Sequence, residues 1–358
     1  MPRFIFFTKT VWTEAPRIRH QLSRMLSSAG HEVHFFQKPL HFWNRTRVGP
    51  RVVENNIFLY QYTELIHHKL RFTDSLTKAN GFWVMKQIRN NIVDLAVDED
   101  VVIVNFNYDY VFLRDLFPKI KIITIMNDDF LARLFFNYQV PFRRSLESTC
   151  NISDTVLAVS FPLLRQLETF CKPQLFLPWS DCDYKAPASA ACRDTLLLWG
   201  YINDRLDFDF LHEWACMLAF HQPDVKLLFV GPQEISQSVI KALSALPNIA
   251  FRSPSNLDDL PLDRIIAGII PYISNSPRIN AITFSNKAFQ MLGRGLPLII
   301  RGMPNFYDAP FILRGDEADA VELVNTVRSE FYKLQPLIRQ FVSENTSAVR
   351  LTQFLSYV

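Results

Sequence analysis

The stretch Thr283-Phe284-Ser285-Asn286-Lys287-Ala288-Phe289-Gln290-Met291-Leu292-Gly293-Arg294-Gly295 carries the sharpest chemical signal in the sequence. Ser285 has the type of a helix N-cap, Ala288, Phe289, Met291 and Leu292 have helical spacing, and Gly293 or Gly295 ends the run. Lys287 then sits in the first turn, where the helix dipole disfavours a cation. A bound anion removes the conflict, because a phosphate accepts from the free backbone N–H groups and from the ammonium together. The alternative is a lysine that simply turns into water. The loop Gly200-Tyr201-Ile202-Asn203-Asp204-Arg205 follows similar logic between a strand pattern and a helix pattern. Gly200 lets backbone approach closely, and the Arg205 guanidinium can grip a diphosphate in bidentate fashion. Its alternative is an ion pair with Asp204 or Asp207.

Met126-Asn127-Asp128-Asp129 closes another strand pattern. Adjacent acids at the carboxyl end of a strand repel one another, which favours proton uptake by one of them and suits Asp128 or Asp129 to general-base work. The alternative is an N-cap for a helix starting near Phe130, which needs only one of the two. The loop KTVWTEAPRIR, residues 9–19, offers Trp12, Glu14 and Arg17 as contacts for an acceptor. Asp181-Cys182-Asp183 and Asp207-Phe208-Asp209 match DxD, a pattern short enough to arise by chance, and the second reads as helix capping. His31-Glu32-Val33-His34 departs from HExxH and falls in a strand pattern. The five cysteines form no CxxC pair. No metal site and no disulfide frame is therefore expected.

These residues must be held by elements, and the apolar pattern supplies them. Arg3 to Thr8, Glu32 to Phe36, Ile57 to Tyr62, Asp100 to Phe106, Ile120 to Ile125 and Thr155 to Ser160 read as strands. Pro16 suits the first turn of a helix carrying Ile18, Leu22, Met25 and Leu26, which Gly30 stops. Another helical pattern lies around residues 82–97. A period-free stretch between Leu177 and Asp194 reads as a domain linker. A second alternation follows: Thr195 to Trp199, Lys226 to Val230, Gly268 to Tyr272 and Leu296 to Ile300 as strands, then helices over about 317–334 and 337–357. The first βαβ unit lacks GxGxxG, so no dinucleotide fingerprint is present. Strands alternating with helices imply parallel sheets covered on both faces. The fold class expected is α/β, two Rossmann-like doubly wound domains facing a cleft. Their boundaries are 1–178 and 179–336, with a C-terminal helix over 337–358 packing on the first domain.

With 358 residues, 49% hydrophobic and 20% charged, the chain has ample material for two packed cores. No stretch approaches the roughly 18 apolar residues of a membrane span, and the apolar run before Lys9 is too short for a secretory signal, so the chain is expected in the cytoplasm. Residues 1–150 hold 20 Lys and Arg against 14 Asp and Glu, and the remainder 18 against 21. The basic half interleaves aromatics with cations, as in residues 38–47 (KPLHFWNRTR) and 67–72 (HHKLRF), within two wider segments, 38–51 and 65–90. Such segments suit the anionic inner face of a plasma membrane as much as a plain solvated surface. No nucleic-acid recognition motif accompanies the charge.

Two Rossmann-like domains, the Gly-Tyr-Ile-Asn-Asp-Arg loop, Gly231-Pro232 after a strand, and SNKAFQMLGRGLP before the last strand resemble a GT-B glycosyltransferase over nearly the whole chain. The sequence resembles the xanthan-type β-glucuronosyltransferase and related bacterial envelope-polysaccharide enzymes, which act at the membrane. The resemblance implies that Ser285, Lys287 and Gln290 reproduce a Ser-x-Lys-x-x-Gln run that contacts the nucleotide, and that Tyr272 stacks near the uracil. It also implies a catalytic Asp on the first domain, at Asp128 or Asp129. Many retaining relatives carry Glu where Gln290 stands, within a two-Glu motif absent here, which favours an inverting displacement. The expectation is transfer of a sugar, glucuronate by resemblance, from a UDP-sugar to a lipid-linked or polysaccharide acceptor. The donor would be held by Gly200, Tyr201, Asn203, Arg205, Tyr272, Ser285, Asn286, Lys287 and Gln290, without a metal or other cofactor. A UDP-sugar epimerase of the same architecture and a non-catalytic glycan- or nucleotide-binding scaffold are the alternatives.

Overall fold

The computed structural model describes residues 2–358 apart from 15–16, 45–49, 68–69, 72, 93–99, 130, 132–138, 189–192, 281, 283–284 and 304–306. Pro16, Phe130, Thr283, Phe284, part of the basic-aromatic runs and the end of the helical pattern at 82–97 thus lie outside the described residues. The chain forms two compact units, Met1–Leu177 with Arg350–Val358, and Pro178–Val349.

The first unit is built on an eight-stranded sheet in the order Gln174–Leu175, Thr155–Ala158, Lys121–Met126, Val101–Asn105, Arg3–Phe7, Glu32–Phe36, Ile57–Tyr60, Arg51–Glu54. Neighbours are parallel except at the Arg51–Glu54 edge. The central strands read RFIFF and VVIVN and are buried almost throughout, as strands covered on both faces must be. From Arg3–Phe7 the chain passes through the helix Ile18–Ser28 to Glu32–Phe36 on one side. The later strands build on the other side, starting with Val101–Asn105. The strand order therefore reverses between Arg3–Phe7 and Val101–Asn105. In doubly wound sheets the carboxyl ends of strands at such a reversal are where ligands bind.

The second unit repeats the plan with six parallel strands, Ile249–Arg252, Lys226–Val230, Thr195–Trp199, Ile265–Pro271, Leu298–Arg301 and Ile312–Arg314. Its reversal falls between Thr195–Trp199 and Ile265–Pro271.

Residues 178–188, read from the sequence as the start of a linker, are tied into the second unit: Arg294 ion-pairs with Asp181 at 2.8 Å, Lys185 with Asp258 at 2.7 Å, and Ser180 N donates to Asn345 O at 3.0 Å. Near the C-terminus the helix Ala320–Ser343 runs through Pro336 without a break, and Ser347–Leu355 follows. A proline removes one N–H and crowds the preceding turn. Here the same helix face buries Phe331, Leu334, Ile338 and Val342, and that packing holds the helix together across Pro336. Residues 337–349 consequently belong to the second unit, and only Arg350–Val358 belong to the first. In the first unit Arg350 Nε donates to Leu177 O at 3.0 Å and Phe354 packs against Phe4 and Phe176.

Candidate functional site

In the second unit the strands Thr195–Trp199 and Ile265–Pro271 end side by side at Gly200 and Tyr272, at the reversal of the sheet. Residues 200–207 are laid across these ends by backbone bonds. Ile202 N donates to Pro232 O (2.9 Å), Asp207 N to Pro271 O (2.9 Å) and Ile273 N to Arg205 O (3.0 Å). Two glycines make the approach possible. A Cβ on Gly231, at φ +151°, would overlap the Gly200 carbonyl, and one on Gly302, at φ +73°, would overlap the Tyr272 carbonyl.

Onto this floor comes the helix Asn286–Gly293, with Ser285 as N-cap in extended backbone (φ −73°, ψ 150°). The first turn contains no acid, and the Ser285 side chain makes no cap bond. Ser285 Oγ and Asn286 Oδ1 are buried without a hydrogen-bond partner among the described residues. A buried polar atom left unmade costs about 1–3 kcal/mol. Lys287 does not turn into water: its Nζ lies 4.7 Å from the centroid of the Tyr272 ring, and its Cδ would stand 3.6 Å from a Cβ built on Gly200. The site thus gathers an ammonium, the free N–H groups of a helix start, a hydroxyl that can donate, a carboxamide oxygen that can accept and an aromatic face. That combination suits a diphosphate joined to a nucleoside and a polyhydroxylated group.

The other donor-site expectations fall into two groups. Asn203 Oδ1 accepts from Arg205 N at 3.3 Å and so shapes the loop, and Tyr201 is half-buried on it. Asp207 caps the helix Phe208–His221 through Phe210 N (3.0 Å) and ion-pairs with Arg301, so that acid is engaged elsewhere than with Arg205. Gln290 is buried and turned to the chain segment beneath the helix: its Nε2 donates to Trp179 O at 3.3 Å and its Oε1 accepts from Asp181 N at 3.4 Å. Nearby Arg294 and Lys185 hold the Asp258 carboxyl down to about 2. Gln290 and Arg294 therefore anchor the helix that presents Ser285 to Lys287.

In the first unit Asp128 and Asp129 follow the strand Lys121–Met126. Asp129 Oδ1 accepts from Leu131 N (2.9 Å) and from Gln166 Nε2 (3.2 Å). Trp12 is buried, its ring 4.9 Å from Phe35 and 5.3 Å from His20. Glu14 Oε1 accepts from Val11 N at 3.2 Å, and its other oxygen pairs with Arg17 at 3.1 Å. Glu14 and Arg17 fold the loop onto itself, and the Trp12 side chain packs against Phe35 and His20 outside the loop.

Sequence reading missed what stands at the reversal of this first sheet. Lys9 and Asp109 follow its two central strands and pair at 2.8 Å. Arg71 reaches Asp109 and Glu64, each at 2.5 Å. Burial holds the Lys9 ammonium below its ordinary range and pushes the Glu64 carboxyl up. Arg71, Tyr108 and Asp109 also line a recess together with Thr77, Pro141, Phe142 and Ser145. The one signal for the quartet was Asn107-Tyr108-Asp109-Tyr110 directly after a strand. Among the described residues no group of three His, Cys, Asp or Glu is arranged to hold a metal ion.

No protein-family model and no curated protein sequence matches the chain. Its fold does match solved structures end to end. Sucrose-phosphate synthase from Thermosynechococcus elongatus superposes with a TM-score of 0.68 at 13% identity, covering 99% of this chain and 98% of that one. A glycosyltransferase from Rickettsia africae gives 0.68 at 15%, with the same coverage. Anabaena HepE, solved in complex with UDP and glucose, gives 0.63 at 11%, again over 99% and 98%. The chain thus has the two-domain α/β fold of the GT-B glycosyltransferases.

Proposed function

We propose that this protein is a nucleotide-sugar-dependent glycosyltransferase whose donor site is the pocket floor at Gly200, Tyr272 and Ser285–Lys287. The observation that carries the reading is the Lys287 ammonium poised over Tyr272 beside a helix start with two unpartnered buried oxygens. In this reading the helix N–H groups, Lys287 and Arg205 take the diphosphate. Each well-placed donor stabilises the departing charge by about 3 kcal/mol, which is the work a metal would otherwise do. Asn286 and the Tyr272 ring serve the nucleoside or sugar end. Asp128 or Asp129 on the first unit takes the proton from the acceptor hydroxyl as it attacks the anomeric carbon in a single, inverting displacement. The structural relatives include one that binds UDP and glucose, which supports a UDP-sugar as donor. A glucuronyl donor, a lipid-linked acceptor in envelope-polysaccharide assembly and residence at the inner membrane face complete the proposal. Among the described residues no helix is long and apolar enough to cross a membrane, so that residence would be peripheral.

The test is turnover of a panel of UDP-sugars with and without glycan-lipid acceptors, followed by mass spectrometry. Release of UDP coupled to a heavier acceptor supports the proposal. Conversion of the donor to an isomer without acceptor would replace it with an epimerase, and no turnover with any pair would leave a binding scaffold.

A further inference from the structure

We propose that the outward face of the helix Asp74–Ile92, continued by the aromatic ribbon beside it, is a docking surface for an anionic lipid bilayer. The inference rests on the membrane residence proposed above and names the residues that would provide it. At 100° per residue, positions 75, 78, 79, 82, 86 and 89 fall within an arc of about 100°. Lys78, Phe82, Lys86 and Arg89 on that arc are exposed, while Asn80, Val84 and Ile88 on the far side are buried. From residue 75 to residue 92 the sequence holds no acid. The acid that opens the helix, Asp74, lies 3.6 Å from Arg144. The face therefore presents three cations around a phenylalanine that is 67% exposed.

The apolar surface extends beyond the helix. Trp83 Nε1 donates to Thr63 Oγ1 at 3.1 Å, and Thr63 pairs with Leu40 in the two-stranded ribbon Leu40–His41 with Thr63–Glu64. Directly after the ribbon come Phe42 and Trp43, 46% and 63% exposed. The Trp43 ring is stacked on His41 at 4.5 Å, so it is already ordered while facing out. Leu70, 54% exposed, follows His67, whose ring lies 5.8 Å from His41.

Exposed indole and phenyl rings among Lys and Arg suit the boundary between headgroups and acyl chains, and cations there are drawn to anionic lipid. A nucleic acid would use the cations equally, but Leu70 offers it neither stacking nor a hydrogen bond. A bilayer is the occupant that uses both the charge and the aliphatic surface.

The experiment is co-sedimentation of the full chain with vesicles of phosphatidylcholine alone or mixed with phosphatidylglycerol, with UDP titrated calorimetrically into the same preparations. Binding to the mixed vesicles, weakened by salt, is expected. Lys78→Ala with Lys86→Ala should lower the partition about 25-fold, at about five-fold per cation. Phe82→Ala, at an exposed position, should lower it about ten-fold. Equal binding to neutral vesicles, no effect of these substitutions, or affinity for RNA without affinity for vesicles would overturn the inference. A chain that binds vesicles but not UDP would refute the donor-site reading and leave the docking surface standing.

Discussion

Asp109→Asn should destabilise the first unit far more than its single lost charge would on a surface. Asp109 is buried between Lys9 at 2.8 Å and Arg71 at 2.5 Å, with Glu64 completing the quartet through Arg71. In the native protein two cations face two carboxylates. The substitution leaves two buried cations against one carboxylate, and breaking a buried pair in this way costs about 3–5 kcal/mol. For a unit of this size, that corresponds to a fall in melting temperature of roughly 6–20 °C. The deficit should be pH-dependent with a defined sign. Burial already holds Lys9 below its ordinary 10.5, so in the folded variant it sheds its proton before the unfolded chain does. Stability of the variant should therefore rise relative to wild type as pH climbs toward 10.5. Replacing both members, Lys9→Met with Asp109→Leu, leaves Arg71 and Glu64 paired and should cost less than Asp109→Asn alone. Thermal and urea unfolding across that pH range measures both variants, together with the single substitutions Lys9→Met and Asp109→Leu. An Asp109→Asn deficit under about 1 kcal/mol, or a double variant that costs the sum of the two singles, would refute the reasoning.

Two further outcomes follow from the first unit. His20 Nδ1 accepts from Arg17 N at 3.1 Å, which leaves Nε2 to donate to Val11 O at 3.2 Å, a neutral imidazole that burial pushes down to about 4. Its contribution is complete above 6.5 and is lost as pH falls through 4, about 3 kcal/mol in total; urea midpoints should fall across that window in wild type, and a His20→Asn variant with the same slope would contradict this. Changing Asp128 and Asp129 singly to Asn should, in one of the two variants, cut transfer by about 10²–10⁴ with UDP affinity unchanged, and full activity in both would remove the base assignment.

The parts of the fold legible in the sequence are those where both faces of a strand are buried. Thr195–Trp199 and Lys226–Val230 each continue as an unbroken apolar run after a polar first residue, and they stand where the pattern puts them. Short edge strands such as Gln174–Leu175 and Ile312–Arg314 carry too few apolar residues to show a period. Arg51–Glu54 escaped the sequence reading; it turns back to Ile57–Tyr60 at Asn55-Asn56, where Asn56 takes φ +54°. At the candidate donor site, helix start, lysine and glycine loop were readable because each is a local pattern. Their meeting with Tyr272 depends on strand order, which local pattern does not encode. The same holds for the quartet: Lys9 and Asp109 are 100 positions apart and become neighbours because Arg3–Phe7 pairs with Val101–Asn105. Gln290, whose motif position implies a nucleotide contact by resemblance, also joins the helix to Trp179 and Asp181, a link that the local pattern does not show.

Calorimetric titration of UDP into the wild-type chain and into Lys287→Ala addresses the donor site most directly. If the diphosphate sits between this ammonium and the start of the Asn286–Gly293 helix, wild type binds and the variant loses about 1.5–3 kcal/mol, roughly 10- to 150-fold in affinity. Equal affinity in the two chains would place the nucleotide elsewhere.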